Sequence, residues 1–221
     1  QDPIHYLYKH AVSLGWMVSD PMHGMKRPNI QEQMPNPMTL EQVRMVLALD
    51  MSLRERAAAH LLAGHGWRQN EVLEVLAGEV RAISGGQMWC HGKQRAEWAP
   101  VLPETAELLS RLADGLADDE QVFRGKRGRN EKFGYEGMRK LVRDLMRRAG
   151  LTGFTGHNLR DTFATLVTEE SGDLTLAMQL IRDKVPGVAS RYVKRDLPAL
   201  LERYSPIRQL ERKPSPLVGE S

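Results

Sequence analysis

The residues best suited to chemistry lie in the run Thr155-Gly156-His157-Asn158-Leu159-Arg160-Asp161-Thr162-Phe163-Ala164-Thr165-Leu166-Val167, with Tyr192 downstream. Leu159, Phe163, Leu166 and Val167 recur at i, i+4, i+7 and i+8, the spacing of a buried helical stripe. His157 and Arg160 are three residues apart and share one face near the start of that helix, just after Gly153 and Gly156. An imidazole and a guanidinium at the positive end of a helix form an anion site, and phosphate is the obvious guest. Standing alone, such a pair is more often a surface or capping pair. The rest of the chain has to decide.

Suppose the guest is a phosphodiester. Cleaving it by transfer to a side chain needs a nucleophile, charge stabilisation for a pentacoordinate phosphorane and a proton donor for the leaving 5′-oxygen. The sequence can supply each without a metal: Tyr192 as nucleophile, Arg68 and Arg160 as planar forks on the non-bridging oxygens, Lys93 as general acid and His157 for the tyrosine proton. Tyr204 is a competing tyrosine, but its place in a terminal helix suits packing. Trp67 reads as core packing, and Glu71 reads equally as a support for Arg68 or as a plain surface glutamate.

Stepping outward, the elements that must position these residues are mostly helices. Residues 4–17 read as a short amphipathic helix with Leu7, Ala11 and Leu14 on one stripe. Pro21, Pro28, Pro35 and Pro37 then mark a linker. Thr39-Leu40-Glu41-Gln42 has a capping-box pattern opening a helix to about residue 49, and Ser52 caps the next, which Gly64-His65-Gly66 breaks. Helix resumes from Arg68 to Leu76. Glu79–Ile83 and Gln87–His91 read as short extended runs around a hairpin turn at Ser84-Gly85-Gly86, and Glu97–Leu102 as a third strand after Gly92-Lys93-Gln94-Arg95, predicting a small three-stranded antiparallel sheet. Further helices are expected from Pro103 to about Gly115 and over 134–149, 157–170, 174–182, 187–194 and 198–205, with a polar tail from near Pro206.

Bulk composition narrows the classes. The 221 residues can bury a full core in one domain or two small ones. Lys and Arg total 31 against 28 Asp and Glu, so a net charge of +3 does not announce a nucleic-acid binder. The distribution says more: Arg124-Gly125-Lys126-Arg127-Gly128-Arg129 is a basic run, and Arg139, Lys140, Arg143, Arg147 and Arg148 follow on a helix. They suit a phosphate backbone or a solvated face. The single cysteine, Cys90, rules out an internal disulfide and fits a reducing compartment. Cys90-His91 has no companion ligands for zinc, and no apolar run reaches the roughly 18 residues of a membrane span.

Four boxes in order resemble the tyrosine recombinases, or phage-type integrases. Gly64-His65-Gly66-Trp67-Arg68-Gln69-Asn70-Glu71-Val72 resembles their "TGLRxxEl" box, and His91-Gly92-Lys93-Gln94-Arg95 is similar to a shortened "GKGxKxR" hairpin. His157 to Thr165 resembles "HxLRHTFAT", and Leu180-Ile181 through Arg191-Tyr192 has the spacing of "LLGHxxxxxTxxY". The resemblance covers roughly residues 5–195. It implies a mainly α catalytic domain over 39–221, a linker over 21–38 and, over 1–20, the end of a truncated core-binding domain. It assigns Arg68 and Arg160 to the phosphate, Lys93 to general acid, His157 to acid/base work and Tyr192 to the nucleophile. Arg95, Arg124, Lys126, Arg127, Arg129 and Lys140 would meet DNA.

The chain departs from the family at Asp183, where a His or Trp usually stands nine residues before the tyrosine, and at Asp161, often a second His. An ionised Asp183 cannot donate to a phosphate. Either it points away while Arg182 or Lys184 contributes, or the site is weakened. The resemblance further implies specific duplex DNA sites, a homo-oligomer, expected to be a tetramer on DNA, packed through a C-terminal stripe of Leu197, Leu200 and Leu201, an accessory DNA-bending protein, no cofactor or metal, no membrane, and the cytoplasm of a bacterium or phage-infected cell. A non-catalytic DNA-binding relative and a type IB topoisomerase-like enzyme are the rival readings.

Overall fold

The computed structural model describes residues 3–25, 36–92, 96–124, 133–183 and 195–213. The chain divides into two units, Gln1–Met34 and Pro35–Ser221. In the first, helix α1 runs from Pro3 to Ser13, shorter than its apolar stripe predicts, and Gly15 follows at φ 71.

The second unit opens on α2 (Leu40–Leu47), whose capping box forms as expected: Gln42 N donates to Thr39 Oγ1 at 3.2 Å and Thr39 N to Gln42 Oε1 at 2.9 Å. Ser52 and Glu55 cap α3 (Leu53–Ala59) in the same way. The helix then widens into a π-turn over His60–Gly64 before the chain breaks at His65-Gly66. Two short helices follow, α4 (Gln69–Leu73) and α5 (Ala77–Arg81).

α5 overturns one expectation. Glu79–Ile83 reads as a short extended run, yet Glu79 folds back so that Leu76 N donates to its Oε2 at 3.0 Å, capping a helical turn. Among the described residues the sheet therefore has two strands, β1 (Gln87–His91) and β2 (Ala96–Pro100), antiparallel with Trp89 opposite Trp98. Those two indoles meet edge to face at 5.3 Å.

The remaining helices are α6 (Pro103–Ala113), α7 (Tyr135–Arg148), α8 (Gly156–Ser171), α9 (Leu174–Leu180), α10 (Leu197–Tyr204) and α11 (Pro206–Arg212). The expected helix over 187–194 lies outside the described residues. The expected polar tail at Pro206 is instead a helix: Pro206 sits in its first turn, Ser205 Oγ accepts from Ile207 N at 3.3 Å, and Ile207 and Gln209 are buried. The main core gathers α2 to α7 around Trp67, Leu61, Leu62, Met88 and Phe123, and a smaller one packs α8, α9 and α10 around Phe163, Leu180 and Leu201. Among the described residues no helix is long and apolar enough to cross a membrane.

Candidate active site

The π-turn delivers the first arginine. His65 is fully buried and bridges two backbone groups: its Nδ1 lies 2.9 Å from His60 O, and Leu102 N donates to its Nε2 at 3.0 Å. That pairing needs a neutral ring protonated on Nδ1, and burial accordingly pushes the imidazole down to about 3. Gly66 turns the chain at φ 66, and a Cβ there would meet the Phe163 ring and Ile181 Cγ2 at 2.7 Å. The turn places Trp67 in the core and aims Arg68 outward.

Arg160 comes from the second turn of α8 and is only 4% exposed. Two carbonyls hold its fork, Gly66 O at 2.7 Å from Nη1 and Ile181 O at 2.6 Å from Nη2. Burial and the nearby Arg68 bring its pKa down to about 10, which leaves it charged at neutral pH. The two arginines, 92 positions apart (160 − 68), are thus tied through the Gly66 turn.

Glu71 is not a surface glutamate: it is 3% exposed. Its Oε2 accepts from Arg68 N at 2.8 Å and its Oε1 from Arg68 Nη1 at 2.9 Å. Burial pulls this carboxyl upward, but Arg182 and Arg68 outweigh it and hold it below the ordinary carboxylate range. Arg182 donates to Glu71 Oε2 at 2.5 Å and lays its guanidinium 4.8 Å from the centre of the Trp67 ring. Outside the glycines, Arg182 alone among the described residues has a positive φ, 58°, which costs a side-chain-bearing residue roughly 1 kcal/mol. It occupies the glycine position of the "LLGH" box.

Asp183 does not point away. Its Oδ2 lies 3.4 Å from Arg68 Nη2 and 3.4 Å from Arg160 Nη2, so one carboxylate oxygen spans both arginines. His157 stands at the start of α8 with its side chain 81% exposed, its Nε2 3.7 Å from Asp161 Oδ1.

Arg68, Arg160 and His157, named from the sequence, therefore line a single open cleft of about 450 Å³, together with His91, Gly92 and Tyr135. Lys93, Arg95, Lys126, Arg127, Arg129 and Tyr192 lie outside the described residues. Lys140 is exposed on α7, whereas Arg124 is tied down by Glu120 at 2.8 Å and Gln121 O at 3.0 Å. No sequence pattern marks Tyr135, whereas a non-glycine at a glycine position is the one sequence signal of the inward turn of Arg182. Cys90 is buried with its thiol pushed up to about 12, and among the described residues no cluster of three or more His, Cys, Asp or Glu could hold a metal ion.

Comparison with known proteins gives a consistent set. The model of the phage integrase family matches residues 37–196. The chain is 23% identical over 215 residues to the tyrosine recombinase XerC of Vibrio vulnificus strain YJ016, covering 91% of this chain and 66% of that one. It is 26% identical over 192 residues to XerC of Proteus mirabilis, covering 77% and 58%. The chain thus spans just under two thirds or less of the length of these curated relatives. In fold it resembles the integrase of mycobacterium phage Brujita (TM-score 0.62, 22% identity, 93% of this chain and 70% of that one). It also resembles a lambda integrase dimer bound to a COC′ core site (TM-score 0.61, 16% identity, 86% and 56%).

Proposed function

Because the chain belongs to the phage integrase family, we propose that it is the DNA-cleaving part of a site-specific tyrosine recombinase. The observation that carries this reading is the convergence of Arg68 and Arg160 on one anionic oxygen, 3.4 Å from each. An oxygen held between two fixed guanidinium forks is where a non-bridging phosphate oxygen would be neutralised. The open cleft in front of them can admit a duplex backbone.

In the proposed reaction Tyr192 Oη attacks the scissile phosphorus and gives up its proton, with His157 assisting. The bond to the 5′-oxygen breaks, and Lys93 protonates that leaving oxygen. One phosphate ester replaces another, so the 3′-phosphotyrosine keeps the bond energy for rejoining to a second strand. Arg68 and Arg160 carry the extra charge of the phosphorane. Lys140, with Arg95, Lys126, Arg127 and Arg129, would follow the backbone on either side. On the same reading residues 1–20 end a core-binding domain, 21–38 link it to the catalytic domain at 39–221, and copies of the chain assemble on their DNA sites.

Nicked suicide duplexes drawn from DNA flanking the gene test this on denaturing gels. Wild type should form a covalent protein–DNA adduct, and Tyr192→Phe should form none while still binding. A wild-type adduct that survives Tyr192→Phe would overturn the assignment. The Asp183 carboxylate between the arginines favours a second reading, a catalytically weakened DNA-binding relative. An adduct formed by Asp183→His and absent from wild type would establish it.

A further inference from the structure

We infer that Arg182 is a positioning residue that, through Glu71, fixes which edge of Arg68 faces the cleft; this deepens the reading of the site given above and rests on it. Arg182 cannot meet a substrate itself, because its side chain is 4% exposed and lies over Trp67. What it does meet is a buried carboxylate. Glu71 divides its two oxygens: Oε2 serves Arg182 Nη2 and Arg68 N, and Oε1 serves Arg68 Nη1. With Nη1 tied inward, Nη2 is the arm of Arg68 left to reach an anion, and it is the arm found 3.4 Å from Asp183 Oδ2.

The need for a second cation follows from the exposures. The Arg68 side chain is 39% exposed, so alone it would leave a buried carboxylate neutralised by a partner half in water. Arg182 supplies a buried countercharge from the other side, which keeps Glu71 ionised and its second oxygen available to Arg68. The turn after α9 accepts a side chain at φ 58 in order to place that charge. A lysine could give the charge but not the flat fork that stacks on Trp67 while donating to Glu71.

The test is nitrogen-15 NMR of the arginine guanidinium groups, with the Arg68 signal assigned by its loss in Arg68→Lys. Pinning of Nη1 slows rotation about the Nε–Cζ bond, which is read from exchange between the two Nη signals. Arg182→Gly, a residue at ease at positive φ, should speed that rotation at Arg68 at least fivefold, while Arg160, held by the Gly66 and Ile181 carbonyls, stays slow. Arg182→Lys should fall between. In a Glu71→Gln background the Arg182→Gly change should add less than twofold. Unchanged rotation in Arg182→Gly, or an undiminished effect without the Glu71 carboxylate, overturns the inference. Should Arg182→Gly lose the slow Arg160 signal through unfolding, Arg182→Lys decides alone: wild-type rotation at Arg68 sinks the idea. On nicked duplexes Arg182→Gly should slow adduct formation about tenfold with duplex affinity within threefold. A wild type that forms no adduct removes the recombinase reading, whereas the rotation at Arg68 still judges Arg182.

Discussion

At the scale of single residues, Asp183 occupies the space between the two arginines. On the proposed function, this half-exposed carboxylate between Arg68 and Arg160 would compete with an incoming phosphate for the same two forks. Asp183→Asn keeps the shape and removes the charge. We expect it to bind inorganic phosphate about fivefold more tightly, roughly 1 kcal/mol, the scale of a partly exposed ion pair. Calorimetric titration at constant ionic strength measures this, and equal affinity in the two proteins would show that the carboxylate is no competitor. Arg160 could be named from the sequence because its box fixes residue type and spacing together. The partnership of Arg182 with Glu71 could not, since the two are 111 positions apart and nothing local announces it.

At the scale of elements, the turn from the π-segment into α4 does more than connect. Gly66 lends its carbonyl to Arg160 and its bare Cα to the Phe163 ring. Gly66→Ala would put a methyl group 2.7 Å from that ring at φ 66. It should cost about 2–4 kcal/mol, from the backbone and the overpacking together, read as a lower urea midpoint. A change under about 0.5 kcal/mol would mean that the turn relaxes freely. Elements with strong caps were legible: Thr39, Ser52 and the α8 stripe lie where their patterns place them. Short elements were not. In α5 a cap in which the Glu79 carboxylate accepts from Leu76 N turns a short run that reads as extended into helix. In α11 the proline that reads as a terminator opens a helix, and a polar sequence hides the burial of Ile207 and Gln209.

At the scale of the whole molecule, a buried histidine, His65, and a half-buried one, His60, tie stability to pH. Burial lowers His65 to about 3 and His60 to about 4, whereas both return to near the ordinary 6.5 on unfolding. Between those values the unfolded chain binds more protons than the folded one, so stability falls as pH drops below about 6.5 and is flat above it. Each group contributes a slope of about 1.4 kcal/mol per pH unit while only its unfolded form titrates. Urea unfolding at pH 7.5, 6 and 5 should show the decline. His65→Gln should reduce the slope by about half between pH 6 and 5, whatever it does to the absolute value. A slope identical to wild type would remove His65 from the account.

The hydrogen bonds that assemble the cleft join residues far apart along the chain: Arg160 to Gly66 across 94 positions, Arg182 to Glu71 across 111, and Arg68 to Asp183 across 115. Closing such long loops costs entropy before any contact repays it, so these links form late in folding. A nascent chain still emerging from the ribosome, or one cut between α7 and α8, holds Arg68 without Arg160. On the proposed function, DNA cleavage would then wait until the fold is complete, with chain topology itself acting as the safety catch.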